Sequence, residues 1–71
     1  MNMSDLYDPD KMKYRCRFLI DERNRTPREK IVPYPTLEMA QSAVKATFIH
    51  GTTERHVEKL ENGRWVGVPI D

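Results

Sequence analysis

Cys16, His50 and His56 are the soft metal ligands of this chain, and no two of them have the spacing of a zinc site. Nucleophilic catalysis would need Cys16 or a serine beside a base oriented by a third group. Cys16 falls at a core-facing position of an alternating run, and the serines sit in an N-terminal arm and on a helix. The carboxylates read as scattered solvated charges, with none in an apolar context that would raise its pKa for acid-base work. Glycines occur only at 51, 63 and 67, so there is no phosphate-cradling loop. His50 beside Gly51 fits a helix C-terminal residue, and His56 falls on an open sheet face. These residues predict a non-enzyme with no catalytic residues, no metal and no cofactor.

Charge and aromatic chemistry remain. The net charge of +1 hides a segregation: residues 1–10 carry −3, residues 11–35 carry +5 and residues 36–71 carry −1. Arg23, Arg25 and Arg28 share one polar segment, with Lys11, Lys13, Arg15, Arg17 and Lys30 on the strands beside it. Such a cluster can present guanidinium groups to phosphates or steer an acidic protein partner. Glu22 and Glu29 flank it and partly neutralise it, and a solvated hairpin tip is the plainer account of the same residues. Trp65, the only tryptophan, belongs to a residue type enriched at interfaces, where it can contribute roughly 2 kcal/mol or more. Its plainer role is a cross-strand pair with Leu60, worth roughly 0.2–1 kcal/mol.

The positions of these residues depend on a few elements. Glu61-Asn62-Gly63-Arg64-Trp65 sets an Asn-Gly pair between two β-favouring runs, a strong hairpin signal. A two-residue turn pairs Glu61 with Arg64, Leu60 with Trp65, Lys59 with Val66 and Val57 with Val68. One face then holds Val57, Val66, Val68 and Ile70, and the other holds His56, Leu60 and Trp65. From Met12 to Glu22 the chain alternates, with Tyr14, Cys16, Phe18 and Ile20 on one face and Lys13, Arg15, Arg17 and Leu19 on the other. Residues 23–28 form the loop of a wider hairpin, and a second strand follows over Glu29–Tyr34. Pro33 cannot donate a ladder hydrogen bond, so that strand lies at a sheet edge or ends there.

Thr36 is the expected N-cap of a helix with Glu38 in its first turn and an apolar stripe at Leu37, Ala40, Val44 and Phe48. Gly51 is the expected C-cap, giving about four turns with Glu38, Gln41, Ser42 and Lys45 toward solvent. Strands over Thr53–Glu61 and Arg64–Ile70 complete a β-β-α-β-β order. The fold class is α+β, a mostly antiparallel four-stranded sheet with one helix packed on one face, covering Phe18, Ile20, Val57, Val66 and Val68. Arg15, Arg17, Leu60 and Trp65 are left on the uncovered face.

Seventy-one residues allow one domain with a thin core, here residues 12–71 after a flexible acidic arm over 1–11. Hydrophobic residues at 38% and charged residues at 32% suit a globular chain. The apolar runs are too short for a bilayer and the N-terminus lacks signal-peptide regions, so a cytoplasmic protein without membrane contact is expected. A lone cysteine agrees with a reducing compartment.

The β-β-α-β-β order, the Phe48-Ile49-His50-Gly51-Thr52 helix exit, and the final hairpin with Asn62-Gly63 and Trp65 resemble small anti-CRISPR proteins of phages and mobile elements. The likeness runs over residues 13–68 and is greatest to a group directed against the type I-F surveillance complex. It implies a stoichiometric inhibitor whose basic residues bind the protein subunits along the guide RNA and block pairing with target DNA, with Arg23, Arg25, Arg28 and Lys45 as its basic positions. The acidic arm departs from that group.

The expected function is therefore a small phage or mobile-element protein that inhibits a host protein or ribonucleoprotein complex by binding it. Partner-binding candidates are Arg15, Arg17, Arg23, Arg25, Arg28, Lys45, Leu60 and Trp65. A nucleic-acid-binding domain using Arg15, Arg17, the 23–28 loop and Trp65 as a stacking platform is the alternative. A homodimer pairing through the Trp65 face is a third reading.

Overall fold

The computed structural model describes residues 11–70; the acidic arm, apart from Lys11, lies outside them. Four strands and a helix follow in the order β1 (Tyr14–Ile20), β2 (Arg28–Tyr34), α1 (Leu37–Ala46), β3 (Thr52–Glu61) and β4 (Arg64–Val68). The sheet is antiparallel with strand order β2-β1-β3-β4. β1 is thus central, and β2, which carries Pro33, is an edge strand, one of the two placements its sequence allowed. The helix connects β2 to β3 and lies across one face, over β1, β3 and β2.

Strand parity decides the core. Cys16, Phe18 and Ile20 of β1 are fully buried with Val57 of β3 and with Ala40 and Val44 of the helix. Tyr14, Val32, Tyr34, Leu37, Ala43, Ile49 and Val68 pack around them. Burying a side chain such as Phe18 or Val44 contributes about 1.5–3 kcal/mol, so Phe18, Ile20, Val44 and Val57 carry much of the stability of a small domain.

At the last hairpin Asn62 and Gly63 both have positive φ, 52° and 77°, the signature of a type I′ turn. The pairing is Glu61 with Arg64, Leu60 with Trp65, Lys59 with Val66 and Val57 with Val68, as the two-residue turn demands.

The helix begins as expected: the Met39 N–H donates to Thr36 Oγ1 at 3.1 Å. Its end differs from expectation. The helix stops at Ala46, with Thr47 extended as the C-cap. Thr47, Phe48 and Ile49 are β-branched or aromatic and lose side-chain freedom in a helix. Arg55 Nη1 also donates to the Val44 carbonyl at 3.5 Å, satisfying a group that another turn would have used. Gly51 (φ 86°) belongs to a separate turn, in which Thr52 Oγ1 donates to the Ile49 carbonyl at 2.7 Å. Phe48 consequently leaves the core stripe and is 80% exposed.

A second correction concerns coverage. The helix packs mainly over β1, β3 and β2, so of the β4 residues expected beneath it Val68 packs against the core while Val66 is 45% exposed, and Ile70 beyond the strand is 42% exposed. Gln41, expected in solvent, donates its Nε2 to the Pro69 carbonyl at 3.2 Å and ties the end of β4 to the helix flank.

Candidate functional site: the open face of the sheet

Residues alternating with the core positions form the other sheet face: Arg15, Arg17 and Leu19 of β1, Glu29 and Ile31 of β2, Glu54, His56, Glu58 and Leu60 of β3, and Trp65 of β4. The register sets Glu58 directly opposite Arg15 and one step diagonal from Arg17. Arg15 Nε donates to Glu58 Oε1 at 2.6 Å, and Arg17 Nη1 donates to Glu58 Oε2 at 3.2 Å. Arg17 Nε also donates to Glu29 Oε2 at 2.9 Å. The Arg15 guanidinium lies over the Trp65 ring, 4.2 Å from its centroid. One continuous ladder, Glu29, Arg17, Glu58, Arg15, Trp65, therefore crosses all four strands.

The ladder changes the chemistry read from sequence. Glu58, taken as one of many solvated carboxylates, is buried, with its side chain 10% exposed. Desolvating a carboxylate is tolerated because both oxygens accept charge-assisted bonds. Arg15 and Arg17 do lie on the uncovered face, but as half-buried members of ion pairs rather than free phosphate donors. Trp65 is half-buried, with Leu60 as its cross-strand partner. A cation held against the ring restricts its rotamers, and a desolvated cation–π contact adds about 1–2 kcal/mol. Sequence reading missed Glu58; its parity with His56 and Leu60 was visible, but the adjacency of β1 to β3 was not.

The hairpin tip is a separate surface. Arg25 closes a turn by donating its N–H to the Glu22 carbonyl at 3.1 Å, with Asn24 at φ 65°. Glu22 faces Arg25 at 3.5 Å and Arg28 at 3.6 Å, and these three line a recess with Ile20 and Thr26. With the two cations 72% and 60% exposed, such pairs are worth about 0–1 kcal/mol and leave the guanidinium groups available. Glu29 does not neutralise this tip, because it turns to Arg17. Arg23 is exposed, with no ion-pair partner among the described residues.

The sequence candidates thus form no single patch. Arg15, Arg17, Leu60 and Trp65 share the open face, Arg23 and Arg25 cap the β1–β2 hairpin, and Arg28 pairs with Ile20 on the helix side. Lys45 is in the last turn of the helix, on the opposite layer from Trp65. His56 is exposed at 4.0 Å from Glu54. Cys16 is buried in the core, its Sγ donating to the Ala40 carbonyl at 3.0 Å. Burial pushes its thiol pKa up, partly opposed by the Val44 backbone, and burial with the nearby thiol also raises Tyr34. Among the described residues, no three of His, Cys, Asp and Glu are grouped to hold a metal ion, and no helix is long and apolar enough to cross a membrane.

Fold and site together define an α+β domain with a one-sided helical layer and an open sheet face bearing a locked Trp–Arg stack. Comparison with protein-family models, curated proteins and solved structures finds no match.

Proposed function

We propose that this chain is a small, non-enzymatic binding protein of the cytoplasm that inhibits a host protein or ribonucleoprotein complex by occupying one of its surfaces. The carrying observation is Trp65, pre-ordered by Arg15 on a sheet face that no helix among the described residues covers. A rigid aromatic anchor loses little conformational freedom on binding, which favours a protein interface. The exposed Arg23, Arg25 and Arg28 at the hairpin tip supply electrostatic steering toward an acidic surface. Neutralisation of Arg15 and Arg17 by Glu58 and Glu29 favours a protein surface over a nucleic-acid backbone for the Trp65 face. The resemblance carried by the β-β-α-β-β order and the final hairpin supports the anti-CRISPR form of this reading, in which a bound protein occludes the surfaces that hold the heteroduplex.

The test is a titration of the full chain into a type I-F surveillance complex, read as loss of target-DNA binding. Expected is inhibition that saturates at a fixed stoichiometry and weakens in Trp65→Ala and in the triple Arg23, Arg25, Arg28→Ala variant. No inhibition at saturating chain overturns the anti-CRISPR form. Tight binding to isolated DNA or RNA, falling steeply with salt, supports the nucleic-acid alternative instead.

A further inference from the structure

β4 is an edge strand, and alternation shows which of its backbone groups face outward. Leu60 donates its N–H to the Lys13 carbonyl, so Leu60 faces β1. Glu61, Lys59 and Val57 then face β4, and their partners Arg64, Val66 and Val68 face back to β3. The N–H and C=O groups of Trp65 and Gly67 point away from the sheet. The opposite edge is defended: β2 carries Arg28, Glu29 and Lys30, and Pro33 has no N–H. β4 has one charge, Arg64, and no proline within Arg64–Val68.

Gly67 adds an independent observation. It lies inside a strand, where glycine is less favourable than alanine by about 0.5–1 kcal/mol. Its φ is not in the left-handed region, and a Cβ built there meets nothing within 4 Å. Nothing within the described residues requires a glycine. A glycine in a strand often marks a bulge, a tight bend, or close approach by a ligand or another backbone, and β4 pairs with β3 without a register shift.

We infer that two copies of this protein pair antiparallel through their β4 edges, about a two-fold axis at Val66, with Trp65 of each set opposite Gly67 of the other. This register joins all the outward backbone groups of Trp65 and Gly67 in four N–H···O=C bonds. A two-fold at Gly67 would instead set Trp65 opposite Pro69, which lacks an N–H and whose carbonyl already accepts from Gln41. A two-fold at Trp65 would need the turn residue Gly63 to be extended. With the axis at Val66, Arg64 faces Val68 of the other copy, so no charge opposes a charge. The half-exposed Val66 side chains meet across the axis. Gly67, without a side chain, leaves room for the partner's strand beside the Trp65–Arg15 stack. The result is a continuous eight-stranded sheet with both Trp65–Arg15 stacks on one open face.

Sedimentation velocity of the full chain over a concentration series is the test, with three variants. The wild type is expected to be a dimer. Val66→Lys, which opposes like charges at the axis, and Gly67→Pro, which deletes an outward N–H, are expected to give folded monomers by circular dichroism. Ile31→Lys on the β2 edge is expected to leave the dimer intact. Val66→Cys is expected to form a covalent dimer on oxidation, because a non-hydrogen-bonded antiparallel pair sets its Cα atoms about 4.5 Å apart. A wild-type monomer at every concentration overturns the inference. So does a dimer that survives both Val66→Lys and Gly67→Pro, or one that Ile31→Lys dissolves. If either β4 variant fails to fold, the other and the oxidation of Val66→Cys decide the outcome.

Discussion

Replacing Glu58 with alanine removes the carboxylate that Arg15 and Arg17 share. The Arg15 bond is 2.6 Å long between side chains only 19% and 10% exposed, so a charge-assisted value of about 1.5–3 kcal/mol applies. Arg17 retains Glu29 at 2.9 Å and is 31% exposed, so its second bond contributes about 0–1 kcal/mol. The expected loss is about 1.5–4 kcal/mol, against roughly 4–10 kcal/mol for a domain of this length. A melting temperature about 6 °C or more lower corresponds to it. Urea unfolding followed by far-ultraviolet circular dichroism measures the loss, and Trp65 fluorescence reports whether Arg15 still covers the ring. A double-mutant cycle with Arg15→Ala is expected to give a coupling of about 1 kcal/mol or more. If Glu58→Ala lies within about 0.5 kcal/mol of the wild type, or the two substitutions are additive, the ladder is an ordinary solvated surface and the pre-ordering of Trp65 has no support.

Gly51→Ala combines a left-handed backbone with a Cβ 2.5 Å from Glu22 Cγ, and a destabilisation of about 1–3 kcal/mol is expected from chemical denaturation. Glu22→Ala in the same chain is expected to recover part of that loss; no recovery would show that the clash is unimportant. Alkaline pH is the third perturbation. Burial holds Cys16 above its ordinary 9.0 and Tyr34 above its ordinary 10.0. Each contributes stability that is fully present below the unfolded value and is lost as pH rises through the folded one. The urea midpoint is expected to fall above about pH 9, with a shallower alkaline slope in Cys16→Ala; identical slopes in the two proteins would contradict the burial account.

Local chemistry made much of the fold legible. The Asn62-Gly63 turn set the register of the last hairpin, parity sent Cys16, Phe18 and Ile20 inward, and Thr36 capped the helix. Pro33 limited β2 to a sheet edge or a strand end because its missing N–H is a property of the residue itself, and the structure shows the edge. The helix end was misread because the 3.6-residue stripe continues to Phe48, while the Val44 carbonyl that ends the pattern is taken by Arg55, eleven residues away. Val66 was misread because periodicity shows which face is apolar but not how far one helix reaches across four strands.

By itself the sequence determined the element types, the β3–β4 register and the face on which Arg15, Arg17, Leu60 and Trp65 stand. These follow from turn chemistry and a period of two, which act over a few residues. Only tertiary structure decided the strand order, and with it the state of every charge on the open face. Placing β1 between β2 and β3 brings Glu29 and Glu58 to the two arginines, converting a face read as basic into an internally neutralised ladder. Partners 12, 41 and 43 residues apart are joined by the sheet rather than by any local pattern, and that separation kept the ladder out of reach of sequence reading.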